Sequence, residues 1–120
     1  MAKGDDIQGR LVQFAARIVK VCDALPQTLA GKHVAGQLIR SGTAPAAHHA
    51  EARGAESPAD FVHKLKIAVK ELNESEVWLR IAITSEMLPQ SKLESILDVC
   101  KQVERILSAS IKTARKAANR

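Results

Sequence analysis

Three features of the sequence predict an all-α fold, an up-down-up-down antiparallel four-helix bundle. Apolar residues recur at helical spacing, three and four positions apart, in four separate segments. The 120 residues include only six glycines and four prolines, too few for the many turns of a sheet protein. The segments are joined by short connections, which place consecutive helices side by side. A chain of this length forms a single domain, residues 1–120. Its core must be aliphatic, because the sequence has no Tyr, one Trp and two Phe.

The four helices are predicted over residues 6–25, 28–53, 58–88 and 92–114, with a basic tail over 112–120. Asp5 and Asp6 provide a cap and negative charge for the first helix, and Pro26 ends it. Thr28 is the predicted cap of the second helix, and Pro45 is expected to bend it. The predicted inner faces of these two helices are Ile7, Leu11, Phe14, Ile18, Val21 and Leu25, and then Leu29, Val34, Leu38 and Ala46.

The starts of the last two helices carry capping signals. Ser57 is followed by Pro58 at the first helical position and by Asp60 three residues later. Ser91 and Glu94 form the pattern of a capping box. The third helix carries one apolar stripe of Phe61, Leu65, Ala68, Leu72, Ser75, Leu79 and Ala82, and a second of Val62, Val69, Glu76 and Ile83. The fourth carries Leu93, Leu97, Cys100, Leu107 and Ile111 beside Ile96, Val103 and Ile106, and its basic tail is expected to fray.

The third helix has more apolar surface than one bundle can bury. A lone bundle needs one apolar stripe per helix, and further apolar residues would leave an exposed patch. The second helix adds a band of glycine and alanine that permits close approach. We therefore predict a homo-oligomer. Its expected interface residues are Arg40, Ser41, Glu51, Phe61, Val62, Val69, Glu71, Trp78 and Ile81.

Candidate metal and catalytic residues are sparse. His48 and Glu51 are the one pair expected to point inward, in the reverse of the Glu-x-x-His order of di-metal bundles. Cys22 and Cys100 lie in apolar helical segments, where a cysteine acts as a small hydrophobic residue. No glycine-rich phosphate loop and no nucleophile motif occurs. We predict no metal, no cofactor and no enzymatic activity, with a metal-binding bundle enzyme as a remote alternative.

The net charge of +5 is compatible with polyanion binding. Six cations are the predicted nucleic-acid contacts: Lys66, Lys70, Arg105, Lys112, Arg115 and Lys116. Because aromatic residues are few, RNA or DNA would be held through backbone electrostatics, with strong salt dependence. The alternative is a solvated face balanced by glutamates. No export signal or apolar run of about 20 residues is visible, so we expect a cytoplasmic protein without a membrane partner.

The second and third helices resemble the signature of the four-helix-bundle family of 23S rRNA intervening-sequence proteins. The matching residues are Arg40-Ser41, the small residues up to Ala47, Glu51, Ser57, Asp60-Phe61, Leu65, Ile67-Ala68, Glu71-Leu72, Glu74, Glu76 and Trp78-Leu79. His48 stands where the family has Asn, Ala52 stands where it has Gly, and Pro45 interrupts the small residues.

The resemblance implies a cytoplasmic bacterial bundle that assembles as a ring-shaped pentamer. Some members are encoded within sequences inserted in large-subunit ribosomal RNA genes. A related branch is the accessory variability protein of diversity-generating retroelements, a basic pentamer that binds nucleic acid and a reverse transcriptase. The leading prediction is therefore a non-enzymatic oligomer that associates with nucleic acid. The alternative is a protein-interaction scaffold, such as a reverse-transcriptase accessory subunit.

Overall fold

A computed structural model, which describes residues 3–119, contains four α-helices and no strand within that range. The helices are α1 (Lys3–Ala24), α2 (Leu29–Arg53), α3 (Pro58–Thr84) and α4 (Gln90–Ala118). Each packs against the next, and α1 closes the bundle against α4. The body measures 52 × 22 × 22 Å. Arg53 at the end of α2 donates to Asp5 at the start of α1 over 2.7 Å, as expected for antiparallel neighbours. The all-α four-helix prediction is confirmed.

Two of the predicted caps form. Thr28 Oγ1 accepts a hydrogen bond from the backbone N–H of Gly31 at 3.1 Å, and Ser57 Oγ accepts one from Asp60 at 3.1 Å. Each bond satisfies an N–H that has no partner inside the helix, which fixes where α2 and α3 begin. The first helix begins at Lys3, earlier than predicted, so Asp5 and Asp6 lie in its first turn.

The third helix ends at Thr84, four residues before the predicted end. Glu86 adopts a left-handed conformation with φ of 57°. The N–H of Met87 then reaches the carbonyl of Ala82 at 2.9 Å, and the N–H of Glu86 reaches that of Ile83 at 3.0 Å. This is a Schellman ending, normally formed by glycine. A glutamate in that position gives no sequence signal for it, and the apolar pattern continues beyond the true end.

The fourth helix starts two residues before the predicted Lys92 and extends beyond Ala114. It begins at Gln90, after Pro89, and no side chain caps it, so the predicted capping box of Ser91 does not form. It continues to Ala118 instead of fraying after Ala114. Its end is rich in alanine, lysine and arginine, which are strong helix formers, and cations near a helix C-terminus also stabilise it. Arg120 lies outside the described residues.

The core follows most of the predicted stripes, and two of the departures lie on α2. Leu29 was expected inside but is 91% exposed. His49, and not His48, points into the bundle: it is 4% exposed and its Nδ1 hydrogen-bonds to Gln8 on α1. His49 continues the line through Pro45, which is buried within the helix. Residues four positions apart lie on the same face of a helix, so the spacing between Pro45 and His49 was the sequence signal for the burial of His49.

Candidate functional site

The predicted nucleic-acid contacts lie on the half of the bundle where α3 begins and α4 ends. All six side chains are exposed. Lys66 of α3 and Arg115 of α4 line the same two adjoining recesses, so their side chains lie next to each other. The antiparallel packing of α3 on α4 thus joins cations separated by about fifty positions of sequence into one surface. We call this surface the basic face: Lys66, Lys70, Arg105, Lys112, Arg115 and Lys116.

The charge of the basic face is largely unpaired, with Glu104 beside Arg105 as an acidic neighbour. Within residues 3–119, none of the six forms an ion pair. The glutamates instead pair elsewhere: Glu71 and Glu74 with Arg40, and Glu51 with Lys64 at 3.2 Å. The sequence left open that these cations form a solvated face balanced by glutamates. Glutamates do pair with Arg40 and Lys64, but among the described residues they form no ion pair with the basic face.

Between α3 and α4 the basic face contains a shallow trough, formed by the two recesses that share Lys66 and Arg115. We call it the basic groove. Its lining includes His63, Lys70 and Asn73 from α3 and also several apolar side chains. Of the described residues, no acidic one lines it. Because antiparallel helices bring the start of one beside the end of the other, its position follows directly from the fold.

The opposite end of the same two helices has mixed charge. The recesses there are lined by Glu86, Glu94 and Asp98, with Arg80 as a cation. A polyanion would be repelled at this end and attracted at the other, since the interaction between exposed charges falls off over about 10 Å in salt. The α3–α4 surface is therefore basic at one end and mixed in charge at the other.

The surface between α2 and α3 holds the residues that carry the family resemblance. Arg40 donates to Glu71 at 2.9 Å and also pairs with Glu74. Trp78 Nε1 donates to the same Glu74 at 3.3 Å, and the indole meets His33 edge-on with 5.6 Å between ring centres. This network gives the α2–α3 surface a fixed arrangement of polar groups.

The predicted interface residues differ in how much surface they offer. Ser41 offers none, because it is fully buried and accepts a hydrogen bond from Ser75 at 2.9 Å. Phe61, Val62, Val69 and Trp78 are partly buried against the core. Ile81 is exposed, and Ile39 and Val77, which were not singled out, are exposed as well. The interface remains a prediction, and its apolar area is smaller than the sequence indicated.

The candidate metal pair does not point into the bundle. His48 and Glu51 are separated by 3.9 Å on the outer side of α2, and the Glu51 side chain is 53% exposed. No group of three or more potential His, Cys, Asp or Glu ligands occurs in the described part of the chain. The buried His49 has a lowered pKa, first because burial disfavours its charged form and then because Arg53 is near.

The cysteines are free and buried. The Cys100 thiol donates to the carbonyl of Leu72 at 3.3 Å, and burial raises its pKa far above the ordinary value. Burial also raises the pKa of Cys22 to about 11, with the neighbouring Asp23 adding to the shift. Because the thiolate is the reactive form, both groups are poor nucleophiles.

Besides His49, sequence reasoning missed an acidic residue in the core. Glu104 is 9% exposed, lies between the apolar positions of α4, and shares a hydrogen bond with Glu76 of α3. Desolvation and the Glu76 carboxyl raise the pKa of Glu104 to about 7. Glu104 lies four residues after Cys100 and three residues before Leu107. This spacing places it on the same helix face as these two core residues and is the sequence signal for its burial.

The sequence pattern of the family described as 23S rRNA-intervening sequence protein matches residues 6–109. A crystal structure of a protein of unknown function from the S23 ribosomal protein family of Bacteroides thetaiotaomicron is similar, with 35% sequence identity and a TM-score of 0.86. The match covers 92% of this chain and 99% of that one. No curated protein matches the chain. No helix within residues 3–119 is long and apolar enough to span a membrane.

Proposed function

The chain belongs to the 23S rRNA-intervening sequence protein family, and we propose that it is a non-enzymatic, homo-oligomeric bundle that associates with nucleic acid. The observation that carries this proposal is the basic face, where Lys66, Lys70 and Arg115 line one groove, the three further cations of α4 are exposed, and none of the six forms an ion pair within the described residues. Cations in this state attract phosphates, and each phosphate contact releases condensed counterions. The buried, high-pKa thiols and the absence of a nucleophile motif support a role without catalysis.

The expected mode is recognition of the phosphate backbone. Among the described residues, no Phe, Tyr or Trp lines the groove or belongs to the basic face, and the His63 imidazole is the one ring that lines it, so bases have little surface on which to stack. Sequence preference should therefore be weak, because phosphate contacts position a protein without reading bases. The free thiols fit a reducing compartment, which supports the proposed cytoplasmic location.

Neutralising part of the basic face should weaken binding to all sequences alike. The test variant combines Lys112→Gln, Arg115→Gln and Lys116→Gln, and binding to a labelled RNA and a labelled DNA is measured by anisotropy across a salt series. The slope of log affinity against log salt should fall by about 2 to 3, since each lost phosphate contact removes about 0.7 to 0.9.

A control variant with the same change of charge separates location from net charge. Lys20→Gln, Lys32→Gln and Lys92→Gln replace three exposed lysines outside the basic face. This variant should retain most of the slope. Equal weakening by both variants, or binding that ignores salt, would contradict a defined nucleic-acid surface. No binding at low salt would favour the second candidate, a protein-interaction scaffold such as a reverse-transcriptase accessory subunit, which the family resemblance supports.

Self-association is the second part of the proposal. Val77 is 51% exposed and Ile81 is 38% exposed on the outer side of α3, and apolar side chains in this state favour burial against another subunit. The ring shape and the pentamer number come from the family resemblance. A head-to-tail contact that closes on itself gives such a ring.

Light scattering at micromolar concentration should give the mass of a pentamer for the unmodified protein. Adding charge with Val77→Glu and Ile81→Glu should lower the mass, because it costs about 2 kcal/mol or more to bury an unpaired carboxylate. Val12→Glu, at a valine of equal exposure on α1, is the matched control and should leave the mass unchanged. A monomer would refute self-association, whereas a dimer or tetramer would refute only the pentamer.

A further inference from the structure

The basic groove has an apolar floor, which a phosphate backbone does not require. Side chains from both helices form this floor: Pro58, Ala59, Val62, Val69, Ile111 and Ala118. Phosphates bind exposed cations on a convex surface equally well, and an apolar floor only adds a desolvation cost for them. The combination of cations and apolar floor therefore indicates a ligand with both acidic and apolar groups.

The shape of the groove limits the ligand to a single narrow element. On the α3 side it runs from Pro58 to Asn73, which is about 22 Å of helix. Helices in contact lie about 8 to 10 Å apart, so the trough between them has room for a side-chain stripe and is too narrow for a nucleic-acid duplex. A single strand gains affinity from stacking on aromatic residues, and of the described residues that line the groove only His63 offers an aromatic ring. A peptide helix of about four turns matches both dimensions.

The charge of the groove decides what kind of peptide would fit. Lys66 and Lys70 lie on the α3 side and Arg115 on the α4 side, and no described acidic residue faces them. A second copy of this chain would bring its own net charge of +5 to a surface that is already positive. An acidic partner gains attraction where a like copy meets repulsion.

We propose that the basic groove docks an acidic amphipathic helix of a protein partner. The apolar stripe of that helix would pack on Val62, Val69 and Ile111, and its carboxylates on either side would pair with Lys66, Lys70 and Arg115. This mode uses residues spaced three and four positions apart on the peptide. The inference deepens the scaffold candidate described above by naming its partner, and it does not depend on nucleic-acid binding.

Two labelled peptides of about 16 residues test the floor of the groove. Both contain the same leucines and glutamates. In the striped peptide the leucines follow the three-and-four spacing, and in the scrambled peptide they do not. Anisotropy with the full-length protein should show the striped peptide binding about tenfold more tightly, since only its apolar residues can all reach the floor at once. Equal affinities would mean that charge alone attracts both peptides and would overturn the proposal.

Charge reversal tests the cations on the two sides of the basic groove. Lys66→Glu, Lys70→Glu and Arg115→Glu together should weaken the striped acidic peptide by roughly tenfold to a hundredfold. The same variant should gain binding to a striped peptide with lysine in place of every glutamate, a gain that general damage to the fold would not produce. The matched control reverses Lys20, Lys32 and Lys92 and should leave both affinities within about twofold of the unmodified protein. Failure of the lysine peptide to bind the reversed groove would contradict the proposed pairing.

A nucleic-acid probe distinguishes this inference from the proposed function. Lys112 and Lys116 lie on the basic face but do not line the groove. Changing both to glutamine should weaken a single-stranded RNA of about 16 nucleotides and leave the striped peptide unaffected. RNA binding with no preference for the striped peptide would overturn the inference and retain the function. Peptide binding without RNA binding would retain the inference and overturn the proposed nucleic-acid function. No binding of either peptide to an oligomeric protein would assign the groove to a second copy and overturn the inference.

Discussion

Replacing Gly42 with alanine is expected to destabilise the bundle by about 1 to 3 kcal/mol, although alanine is the better helix former. Gly42 of α2 lies directly against Ile18 of α1. A Cβ atom built there would lie 2.7 Å from Ile18 Cγ2 and 3.1 Å from Ile18 Cβ. Ile18 is fully buried, and its β-branched side chain cannot move away without disturbing its neighbours. The added methyl group must therefore separate the helices or force a strained rotamer.

Gly36→Ala is the matched control for this prediction. Gly36 lies in the same helix, and a Cβ atom there meets nothing within 4 Å. That substitution should stabilise the protein by about 0.5 to 1 kcal/mol, because alanine restricts the unfolded chain and favours the helix. Urea unfolding of the two variants and the parent protein measures both effects. Stabilisation of similar size by both substitutions would show that α1 and α2 are not in close contact at Gly42.

A double-mutant cycle locates the cause of the Gly42 effect. Ile18→Ala alone should cost about 2 to 5 kcal/mol, because it leaves a cavity in the core. In the double variant, the methyl group that Gly42→Ala adds enters the space that the isoleucine occupied. The two changes should therefore cost less together than the sum of their separate costs, by about 1 kcal/mol or more. Additive costs would place the strain away from this contact.

The periodicity of apolar residues was sufficient to predict the four helices, because burial imposes the helical repeat directly on the sequence. Helix ends were harder to predict, because they depend on backbone details that several residue types can satisfy. Thr28 and Ser57 cap through their own side chains and were predicted correctly. The end of α3 depends on a left-handed Glu86, and the start of α4 has no side-chain cap. Neither of these leaves a distinctive mark in the sequence.

The candidate site was predictable as a set of cations but not as a surface. Lys66 and Arg115 could be chosen from the sequence because each is a basic residue at an exposed position of its own helix. Their proximity depends on the register of α3 against α4, which is set by the packing of side chains in three dimensions. The same register decides that these cations have no acidic neighbour, whereas Arg40 meets Glu71. Charge pairing therefore could not be predicted from spacing along one helix.

The buried carboxyl pair between α3 and α4 makes the stability of the fold depend on pH. Glu104 and Glu76 share a hydrogen bond, and one of the two must carry a proton to donate it. Burial raises the pKa of Glu104 most, and the Glu76 carboxyl adds to the rise, while Lys101 and Arg105 oppose it. Cys100 also lies close by, but burial keeps its thiol protonated.

The sign of the effect follows from the raised pKa. The pKa of Glu104 is about 7 in the folded chain, against 4.5 for an ordinary glutamate. The folded state therefore holds this proton more tightly than the unfolded state does. Its contribution to stability is fully present below about pH 4.5 and is lost as the pH rises through about 7. The loss is on the order of 3 kcal/mol between the two limits.

Glu104→Gln should remove most of this pH dependence, because an amide donates the hydrogen bond to Glu76 at any pH. Urea unfolding at one fixed protein concentration, at about pH 5 and about pH 8.5, measures it. The variant should match the parent protein at the lower pH and exceed its stability at the higher one, by up to about 3 kcal/mol. Glu94→Gln, at an exposed position of the same helix, is the control and should leave the parent's pH dependence in place. Because the buried His49 has a lowered pKa and adds a pH dependence of the opposite sign, the comparison is between the parent and the variant. If both changed equally in stability between the two pH values, the two carboxyls would share no proton, and Glu104 would be an ionised residue with access to water.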